Sequence, residues 1–376
     1  MPQDPNIVMV SDTDLFKDIR PYRDDEVAGA IQRLIRDDEF IGAIAKYRFS
    51  TLSGIGGSFI KALIRLYLSW RWRKLDSIRQ IQLEVASYME KMIARTTSEV
   101  SYSGLEQLNP DEGYLFISNH RDIALDPAFV NWGLHTNGLD TVRIAIGDNL
   151  LRKPCAAELM KLNKSFIVKR SAKGPREMMK AFSELSAYLR HSLDDNHSIW
   201  IAQKEGRAKD GNDKTDPAIL KMFYMEGKRQ KIPFGDYIKS LNLVPVSISY
   251  EYDPGDLAKA RELYAKATHG AYEKGEFEDV QSIVQGIIGQ KGRVHVSFGQ
   301  PVRGDFENAD QLAAAIDQQI HANYHLFPSN LLAAGQRVEG DASEALAFEQ
   351  HMARIPAELK ELVLSMYARP VLNKGQ

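Results

Sequence analysis

Residues 114–129 read Tyr-Leu-Phe-Ile-Ser-Asn-His-Arg-Asp-Ile-Ala-Leu-Asp-Pro-Ala-Phe. The apolar run Tyr114–Ser118 predicts a short buried strand, and Asp126 followed by Pro127 predicts the N-cap and first turn of a helix. His120, Asp122 and Asp126 would then lie on a strand-to-helix loop, where α/β proteins hold their reacting groups. A histidine with a carboxylate in reach is typical of a general base and its orienting partner. The same residues also suit a polar loop followed by a helix cap.

From about residue 100 onward, short apolar runs alternate with longer amphipathic segments. This alternation predicts an α/β fold with a mainly parallel central sheet flanked by helices. The predicted strands are Tyr114–Ser118, Val142–Ile146, Ser165–Lys169, Ser198–Ala202, Val244–Tyr250 and Val294–Phe298. The predicted helices are Pro127–Leu134, Leu150–Leu162, Pro175–His191, Asp256–Lys274, Ala309–Leu326 and Ala342–Tyr367. Residues 205–217 are polar and predict a functional loop.

Residues 24–95 show helical spacing throughout. We therefore expect an N-terminal helical subdomain over residues 1–98. We expect an α/β domain to follow over residues 99–305. We expect C-terminal helices over residues 306–376 to pack on that domain. Residues 1–24 predict an extended lead. The glycine-rich residues 53–57 predict a turn and not a phosphate loop, because no Gly-Lys-Ser/Thr follows.

Residues 58–75 combine aromatic residues with positive charge. Phe59, Leu63, Leu66, Trp70 and Arg73 fall near one helical face, and the flanking cations are Lys61, Arg65, Arg71 and Lys74. This composition is typical of a helix that lies in a membrane interface. The alternative is a core helix whose basic side chains extend to water.

The overall composition is that of an ordinary globular protein. Lysine and arginine number 48 against 50 acidic residues, which gives no global case for nucleic acid as a partner. The single cysteine, Cys155, excludes a disulfide within this chain and a multi-cysteine metal site, and we expect it to be a packing residue. No apolar run approaches the ~18 residues that span a bilayer, and residues 1–6 do not resemble a signal peptide. We expect a cytoplasmic protein that associates peripherally with the inner face of the membrane.

Four short blocks lie in or directly after predicted strands. They are Asn119-His120 with Asp122 and Asp126, the run Lys164–Arg170, the run Gln203–Arg207, and the run Leu243–Val246. In a parallel sheet the carboxyl ends of the first three strands meet at one edge. A base and its carboxylate would then face two cationic loops.

This arrangement meets the needs of acyl transfer to a phosphorylated alcohol. A base must take the hydroxyl proton, and cations must hold the phosphate. Lys169, Arg170 and Arg207 are the candidate phosphate ligands. Gly206 would allow a close approach of the backbone, and Glu205 would hold Arg207 or bind the acceptor hydroxyl.

The ordered blocks resemble the glycerophosphate acyltransferase family. Asn119-His120 resembles the start of the family's Asn-His, four residues, Asp block. Ile167–Arg170, or Phe166-Ile167 with Lys169, resembles its Phe-Ile-x-Arg strand. Glu205-Gly206-Arg207 resembles a shortened Glu-Gly-Thr-Arg, and Val244–Val246 its Val-Pro-Val strand. The strand and turn at residues 294–301 also resemble a late element of that fold.

Two departures from the family pattern concern the site. Five residues, not four, separate His120 from Asp126, and a loop can absorb one extra residue. Asp126 is the expected partner of His120 because Asp126-Pro127-Ala128 resembles the family's helix start, with Asp122 as the rival. The threonine of the third block is missing, which brings Arg207 one residue closer to Glu205.

The resemblance implies an O-acyltransferase of phospholipid biosynthesis. The donor would be acyl-CoA or acyl-carrier protein, and the acceptor would be 1-acyl-sn-glycerol-3-phosphate (lysophosphatidate), with glycerol-3-phosphate as the alternative. His120 would act as the base, and no cofactor or metal is implied. A thioester or phospholipid hydrolase and a non-catalytic lipid-binding protein are alternatives from other classes.

Overall fold

The computed structural model describes residues 14–48, 57–275, 277–338 and 342–375. Its centre is a seven-stranded sheet. The strands are β1 (Thr97–Ser103), β2 (Leu115–Ser118), β3 (Arg143–Gly147), β4 (Ser165–Val168), β5 (Ile199–Ala202), β6 (Leu243–Tyr250) and β7 (Gly292–Phe298). Helices precede the sheet and flank it, which confirms the predicted fold class.

The strands lie in the order β1-β7-β6-β2-β5-β3-β4. The five strands from β6 to β4 are mutually parallel, β7 is antiparallel to β6, and β1 is parallel to β7. β2 therefore lies between β5 and β6 near the middle of the sheet. The carboxyl ends of β2, β4 and β5 meet at one edge, as the sequence predicts.

The four residues of β2 are all buried because the strand is covered on both faces. Leu115 and Ile117 belong to the core cluster on one side of the sheet. Phe116 belongs to the cluster on the other side and lies edge-on to Phe298, with 5.4 Å between ring centroids. Helix packing on both faces thus fixes where β2 ends and where its loop emerges.

The helices before the sheet are α1 (Asp24–Arg36), α2 (Asp38–Arg48), α3 (Gly57–Arg71) and α4 (Ile78–Thr96). The helices that lie in sequence between β1 and β7 are α5 (Leu125–Thr136), α6 (Pro154–Leu162), α7 (Pro175–Asp194), α8 (Pro217–Phe223), α9 (Met225–Arg229), α10 (Phe234–Ser240), α11 (Asp256–His269) and α12 (Glu278–Ile288). The last are α13 (Ala309–Asn323), α14 (Pro328–Ala333), α15 (Ala342–Ala353) and α16 (Lys360–Lys374). Short 3₁₀ turns cover Leu105–Gln107, Asp148–Leu150 and Ala357–Leu359.

Several elements differ from the sequence prediction. β1 was not predicted, because it is a polar, half-exposed edge strand without a clear apolar run. The helix predicted over Ala342–Tyr367 is two helices, since Pro356 follows the end of α15. The helix predicted from Asp256 ends at His269, where Gly270 adopts a left-handed conformation. The short helices α8, α9 and α10 and the helix α12 were not predicted.

The domain limits at residues 98 and 305 remain predictions. Most of the predicted extended lead and the predicted turn at residues 53–57 lie outside the described residues. Cys155 is buried at the start of α6, where burial raises the pKa of its thiol. Among the described residues, no helix is long and apolar enough to cross a membrane.

α3 presents its apolar stripe outward. Ile64 and Leu68 are buried against Ile41 of α2. On the opposite side, five large side chains are exposed and lie within one stripe of the helix, namely Phe59 (68 %), Leu63 (49 %), Leu66 (68 %), Tyr67 (57 %) and Trp70 (61 %). The helix therefore contributes to a small core and also leaves a second apolar face exposed.

Candidate active site

The loop between β2 and α5 holds His120 at the edge of the sheet. Asn119, directly before it, is fully buried and bonds to the neighbouring strand β6. Its side-chain oxygen accepts from the Ile248 N–H at 2.8 Å, and its amide donates to the Ile248 carbonyl at 3.0 Å. These two bonds continue the sheet pairing beyond β2 and fix the position from which His120 projects.

Asp126, and not Asp122, contacts the His120 ring. The distance from His120 Nδ1 to Asp126 Oδ2 is 2.8 Å, and the aspartate is completely buried. Because a carboxylate only accepts hydrogen bonds, the Nδ1 atom carries the proton and Nε2 is the basic nitrogen. Asp126 Oδ2 also accepts from the Arg121 and Asp122 N–H groups at 2.6 and 2.9 Å. The histidine–carboxylate pair therefore has the geometry of a general base with its orienting partner.

Asp122, and not Asp126, accepts hydrogen bonds from the backbone at the start of α5, whose N-cap residue is Ala124. The Asp122 Oδ1 atom accepts from the Ala124 and Leu125 N–H groups, each at 2.9 Å, and α5 begins at Leu125. The N-cap prediction for Asp126 is therefore wrong, since Asp126 lies within the first turn. The extra residue between His120 and Asp126 is absorbed in the turn that Asp122 closes. Burial and the nearby Asp126 charge raise the pKa of the Asp122 carboxyl.

Tyr250 completes the surroundings of Asp126. Its hydroxyl, at the end of β6, donates to Asp126 Oδ1 at 2.8 Å. Burial and the Asp126 charge raise the pKa of Tyr250 well above its usual value, so that it stays a donor. The indole of Trp200 lies edge-on to the His120 ring, with 5.8 Å between centroids. Sequence analysis missed both roles, because both residues end or occupy strands that look like ordinary core.

The loop after β5 runs beside the His120 loop. The Gln203 N–H donates to the Ser118 carbonyl, and the Ala208 N–H donates to the His120 carbonyl, each at 2.8 Å. Arg207 therefore lies one residue from a direct main-chain contact with His120. Its guanidinium donates to the Ser282 hydroxyl of α12 at 3.3 Å.

The other predicted phosphate-binding residues divide into two groups. Arg170, after β4, lies 3.6 Å from Glu205 of the β5 loop, so the second and third blocks meet. Lys169 points elsewhere and forms an ion pair with Glu184 of α7 at 2.8 Å. Gly206 has φ +76°, a conformation that favours glycine and turns the chain between Glu205 and Arg207. The structure thus brings Arg170, Glu205 and Arg207 to the His120 edge and directs Lys169 away from Glu205.

α12 forms one wall of the same edge. Its Gly286 lies against Asp122 so closely that an added Cβ atom would be 2.1 Å from Asp122 Oδ2. Only a glycine permits this approach. Because Ser282 of the same helix contacts Arg207, α12 touches both the His120 loop and the β5 loop.

An apolar groove between α4 and α5 reaches the His120 loop. It is lined mainly by aliphatic and aromatic groups, including Val85, Ala86 and Met89 of α4 and Ala128 and Trp132 of α5. Ala124, four residues after His120, also lines the groove. The site therefore combines a base, cationic loops and an adjoining apolar groove.

Residues 99–247 match the family model described as Acyltransferase. The matched segment starts in β1, ends in β6, and contains the His120, Arg170 and Arg207 loops. This part of the chain is therefore an acyltransferase domain.

Two relatives of this chain are glycerol-3-phosphate acyltransferases. The glycerol-3-phosphate acyltransferase of Pseudomonas syringae pv. tomato is 23 % identical over 305 residues, which cover 78 % of this chain and 32 % of the relative. That of Pseudomonas fluorescens is 24 % identical over 254 residues, which cover 66 % of this chain and 26 % of the relative. The chain thus spans about a quarter to a third of these relatives' length. The chain is therefore similar to glycerophosphate acyltransferases, which supports the resemblance in its sequence.

Among solved structures, the crystal structure of the 1-acyl-sn-glycerophosphate (LPA) acyltransferase PlsC from Thermotoga maritima is similar to this chain. The TM-score is 0.41 at 13 % identity, over 78 % of this chain and 94 % of that chain.

We predict different results for substitutions of the two aspartates. Asp126→Asn removes the carboxylate that orients the His120 ring and is expected to lower an acyl-transfer rate by about 10²–10⁴. Asp122→Asn keeps an oxygen that accepts the helix N–H groups, so the rate should stay within about threefold of the original protein's. Initial rates of both purified variants test this. Equal losses in the two variants would contradict the assignment of Asp126 as the partner.

The raised pKa of Asp122 also predicts how stability depends on pH. Because the folded state binds this proton more tightly than the unfolded chain, Asp122 favours folding at low pH. That contribution is lost as the pH rises through the folded-state pKa. The free energy of unfolding of Asp122→Asn, relative to the unchanged protein, should therefore increase from acidic to neutral pH. Urea titrations at several pH values measure it, and a difference that is independent of pH would refute the expectation.

We predict that Tyr250→Phe affects both stability and rate. The substitution leaves a buried carboxylate oxygen without its donor, which is expected to cost about 1–3 kcal/mol of unfolding free energy. A less well-held Asp126 should lower the acyl-transfer rate about tenfold, which corresponds to about 1.4 kcal/mol. The matched control is Tyr22→Phe, since the Tyr22 hydroxyl donates to another shielded carboxylate, Glu158, at 2.8 Å. The control should lose stability and keep its rate, and a rate loss of equal size in both variants would argue against a specific role for Tyr250.

Proposed function

We propose that this protein transfers a fatty acyl group from a thioester donor, acyl-CoA or acyl-carrier protein, to a hydroxyl group of a glycerophosphate. The observation that carries the proposal is the 2.8 Å contact between His120 and the buried Asp126, at an edge that also holds Arg170 and Arg207. A base beside cationic loops suits an alcohol that carries a phosphate.

In the proposed mechanism His120 Nε2 takes the proton of the acceptor hydroxyl as its oxygen attacks the thioester carbon. A carbon–oxygen bond forms, the carbon–sulfur bond breaks, and the proton passes from the imidazolium to the departing thiolate. Asp126 stabilises the positive charge that develops on the ring, and the Tyr250 hydroxyl and the two N–H groups hold Asp126 in place. The acyl group passes directly from donor to acceptor.

The arginines and the apolar groove near His120 suit substrates that carry both a phosphate group and an acyl chain. Arg170 and Arg207 supply guanidinium groups, which bind phosphate oxygens in a bidentate manner. Glu205, which is 75 % exposed and 3.6 Å from Arg170, suits the orientation of that guanidinium. The groove between α4 and α5 suits an acyl chain, since it is apolar and reaches Ala124 near the base.

Two acceptors are to be distinguished. Lysophosphatidate is the first candidate, because the exposed apolar face of α3 would bring the protein to the surface that holds this lipid. Glycerol-3-phosphate is the second, and the names of the curated relatives favour it. Both carry the phosphate and the free hydroxyl that the site requires.

We also propose that α3 contacts the membrane. Its exposed stripe contains two aromatic side chains, Tyr67 and Trp70, of the kind enriched at lipid headgroups. Exposed Arg73 and Lys74 follow the end of the helix and would favour an anionic surface. Membrane contact through α3 would hold the protein at the inner face of the bilayer as a peripheral protein.

We predict that the purified protein moves labelled acyl groups from acyl-CoA or acyl-carrier protein to one of the two acceptors when each is offered separately. His120→Ala is expected to lower this rate by about 10²–10⁴, because the base is lost. Thin-layer separation of the labelled product measures transfer. Lys169→Ala serves as a control for loss of a neighbouring cation, since Lys169 pairs with Glu184, and it should retain most of the rate.

Three outcomes would contradict the proposal. Release of free fatty acid without an acceptor would indicate a hydrolase that uses the same base. Lipid binding without transfer would indicate a lipid-binding protein. Full transfer by His120→Ala would mean that the reaction takes place elsewhere.

We predict that Leu66→Glu and Trp70→Glu weaken binding to phosphatidylglycerol vesicles at least tenfold. Each exchange removes an apolar side chain whose burial is worth about 1.5–3 kcal/mol, and about 1.4 kcal/mol corresponds to tenfold. The matched control is Leu346→Glu on α15, because Leu346 is similarly exposed, at 54 %. Vesicle cosedimentation measures binding, and equal binding by all variants would exclude α3 as the contact.

A further inference from the structure

Asn119 and Arg121, the two neighbours of His120, bind the same carboxylate. The Asn119 amide donates to Asp213 Oδ2 at 3.2 Å, and the Arg121 guanidinium donates to that oxygen at 2.6 Å. Asp213 is 1 % exposed. The single carboxylate therefore contacts the His120 loop on both sides of the base.

Asp213 belongs to the loop after β5, which also carries Glu205, Gly206 and Arg207. Two hydrogen bonds hold the end of this loop on α13. The His321 Nε2–H donates to the Asp213 carbonyl at 2.8 Å, and Asp317 accepts from the Thr215 N–H at 2.8 Å. The Asp213 main chain is thus anchored on α13 while its side chain reaches the His120 loop.

The Arg121–Asp213 pair is buried and incompletely hydrogen-bonded. Both side chains are almost completely buried, at 8 % and 2 % exposure. Within the described part of the chain, Arg121 Nε and Asp213 Oδ1 are buried without hydrogen-bond partners. A buried ion pair that is incompletely hydrogen-bonded is often no more stable than an apolar pair of similar volume. Such a pair can instead fix the relative positions of the segments that it joins.

We propose that Asp213 is a positioning residue. It fixes the distance and orientation between the His120 loop and the β5 loop, which carries Arg207. This inference rests on the proposed function, in which one loop holds the base and the other holds the acceptor phosphate. Loss of the Asp213 contacts would shift the base relative to the bound acceptor. It would therefore lower kcat and also raise the KM for the acceptor, and displacements of about 1 Å can cost about 10² in rate.

The test replaces the ion pair in two ways. Asp213→Ala with Arg121→Met removes the contacts without leaving a buried unpaired charge, so the variant should fold. We expect kcat to fall about 10–100-fold and the acceptor KM to rise severalfold, with donor KM unchanged. Asp213→Asn with Arg121→Gln keeps an oxygen acceptor for both neighbours of His120 and should recover most of the activity.

The matched control is Arg20→Met with Glu26→Ala. This pair is also largely shielded, with 11 % and 25 % exposure, but it joins α1 to the segment directly before it. Its loss should leave kcat and both KM values unchanged. Thermal unfolding of all variants shows whether an effect comes from loss of the fold. If Asp213→Ala with Arg121→Met does not fold, Asp213→Asn with Arg121→Gln still tests the proposal.

A second measurement does not need activity. Hydrogen–deuterium exchange, followed by mass spectrometry, reports the backbone of residues 119–126 and 203–213. Loss of the Asp213 contacts should speed exchange in both segments, and the control should not. Unchanged exchange, or unchanged kcat and acceptor KM in Asp213→Ala with Arg121→Met, would overturn the inference. Absence of acyl transfer by the original protein would refute the proposed function alone, because the exchange result would still decide the role of Asp213.

Discussion

The buried carboxylate of Asp126 is the constraint on which the site depends. A fully buried charge must be hydrogen-bonded, and Asp126 accepts from His120, the Tyr250 hydroxyl, and the N–H groups of Arg121 and Asp122. To aim two successive N–H groups at one oxygen, the chain must turn sharply after β2. The position of Asp126 in the first turn of α5 adds the favourable field of a helix N-terminus. The bend that presents His120 therefore follows from the hydrogen bonds that the buried carboxylate of Asp126 requires.

Loops from other strands hold this bend from two sides. Asn119 bonds to both backbone groups of Ile248 in β6, and the Ala208 N–H from the β5 loop donates to the His120 carbonyl. Behind the loop, the buried ammonium of Lys259 donates to the Arg121 carbonyl at 2.7 Å and pairs with Asp253. The Asp253 N–H in turn donates to Tyr367 of α16 at 2.9 Å. The orientation of His120 thus depends on contacts between segments that are far apart in the sequence.

Sequence reasoning could predict the parts of this site that come from local patterns. The apolar run of β2, the histidine after it, and the arginines after β4 and β5 are each visible within a few residues. The partner of His120 was expected from the helix start at Pro127, although Asp122 proved to accept the N–H groups at that start. The edge strand β1 was missed, because its polar alternation resembles a loop.

The contacts that could not be predicted join distant segments. Asp213 is one aspartate in a polar loop, and nothing in its neighbourhood indicates that its side chain would be buried and bonded to Asn119 and Arg121. Tyr250 ends a strand that reads as core. Lys169 and Arg170 are adjacent in sequence, yet one pairs with Glu184 and the other approaches Glu205. Successive residues of an extended segment point to opposite sides, so only the known position of the strand separates them.

Buried charges and exposed apolar side chains both occur near the site. Charged side chains such as Arg121, Asp126 and Lys259 are buried at the site, whereas large apolar side chains on α3 and α12 are exposed. Isolated exposed apolar residues are ordinary, but on α12 Val280, Val284, Ile287 and Ile288 share one helical stripe. That helix also contacts Asp122 and Arg207. α12 therefore combines contacts to the polar site with an exposed apolar stripe, an arrangement that suits the amphipathic substrates proposed above.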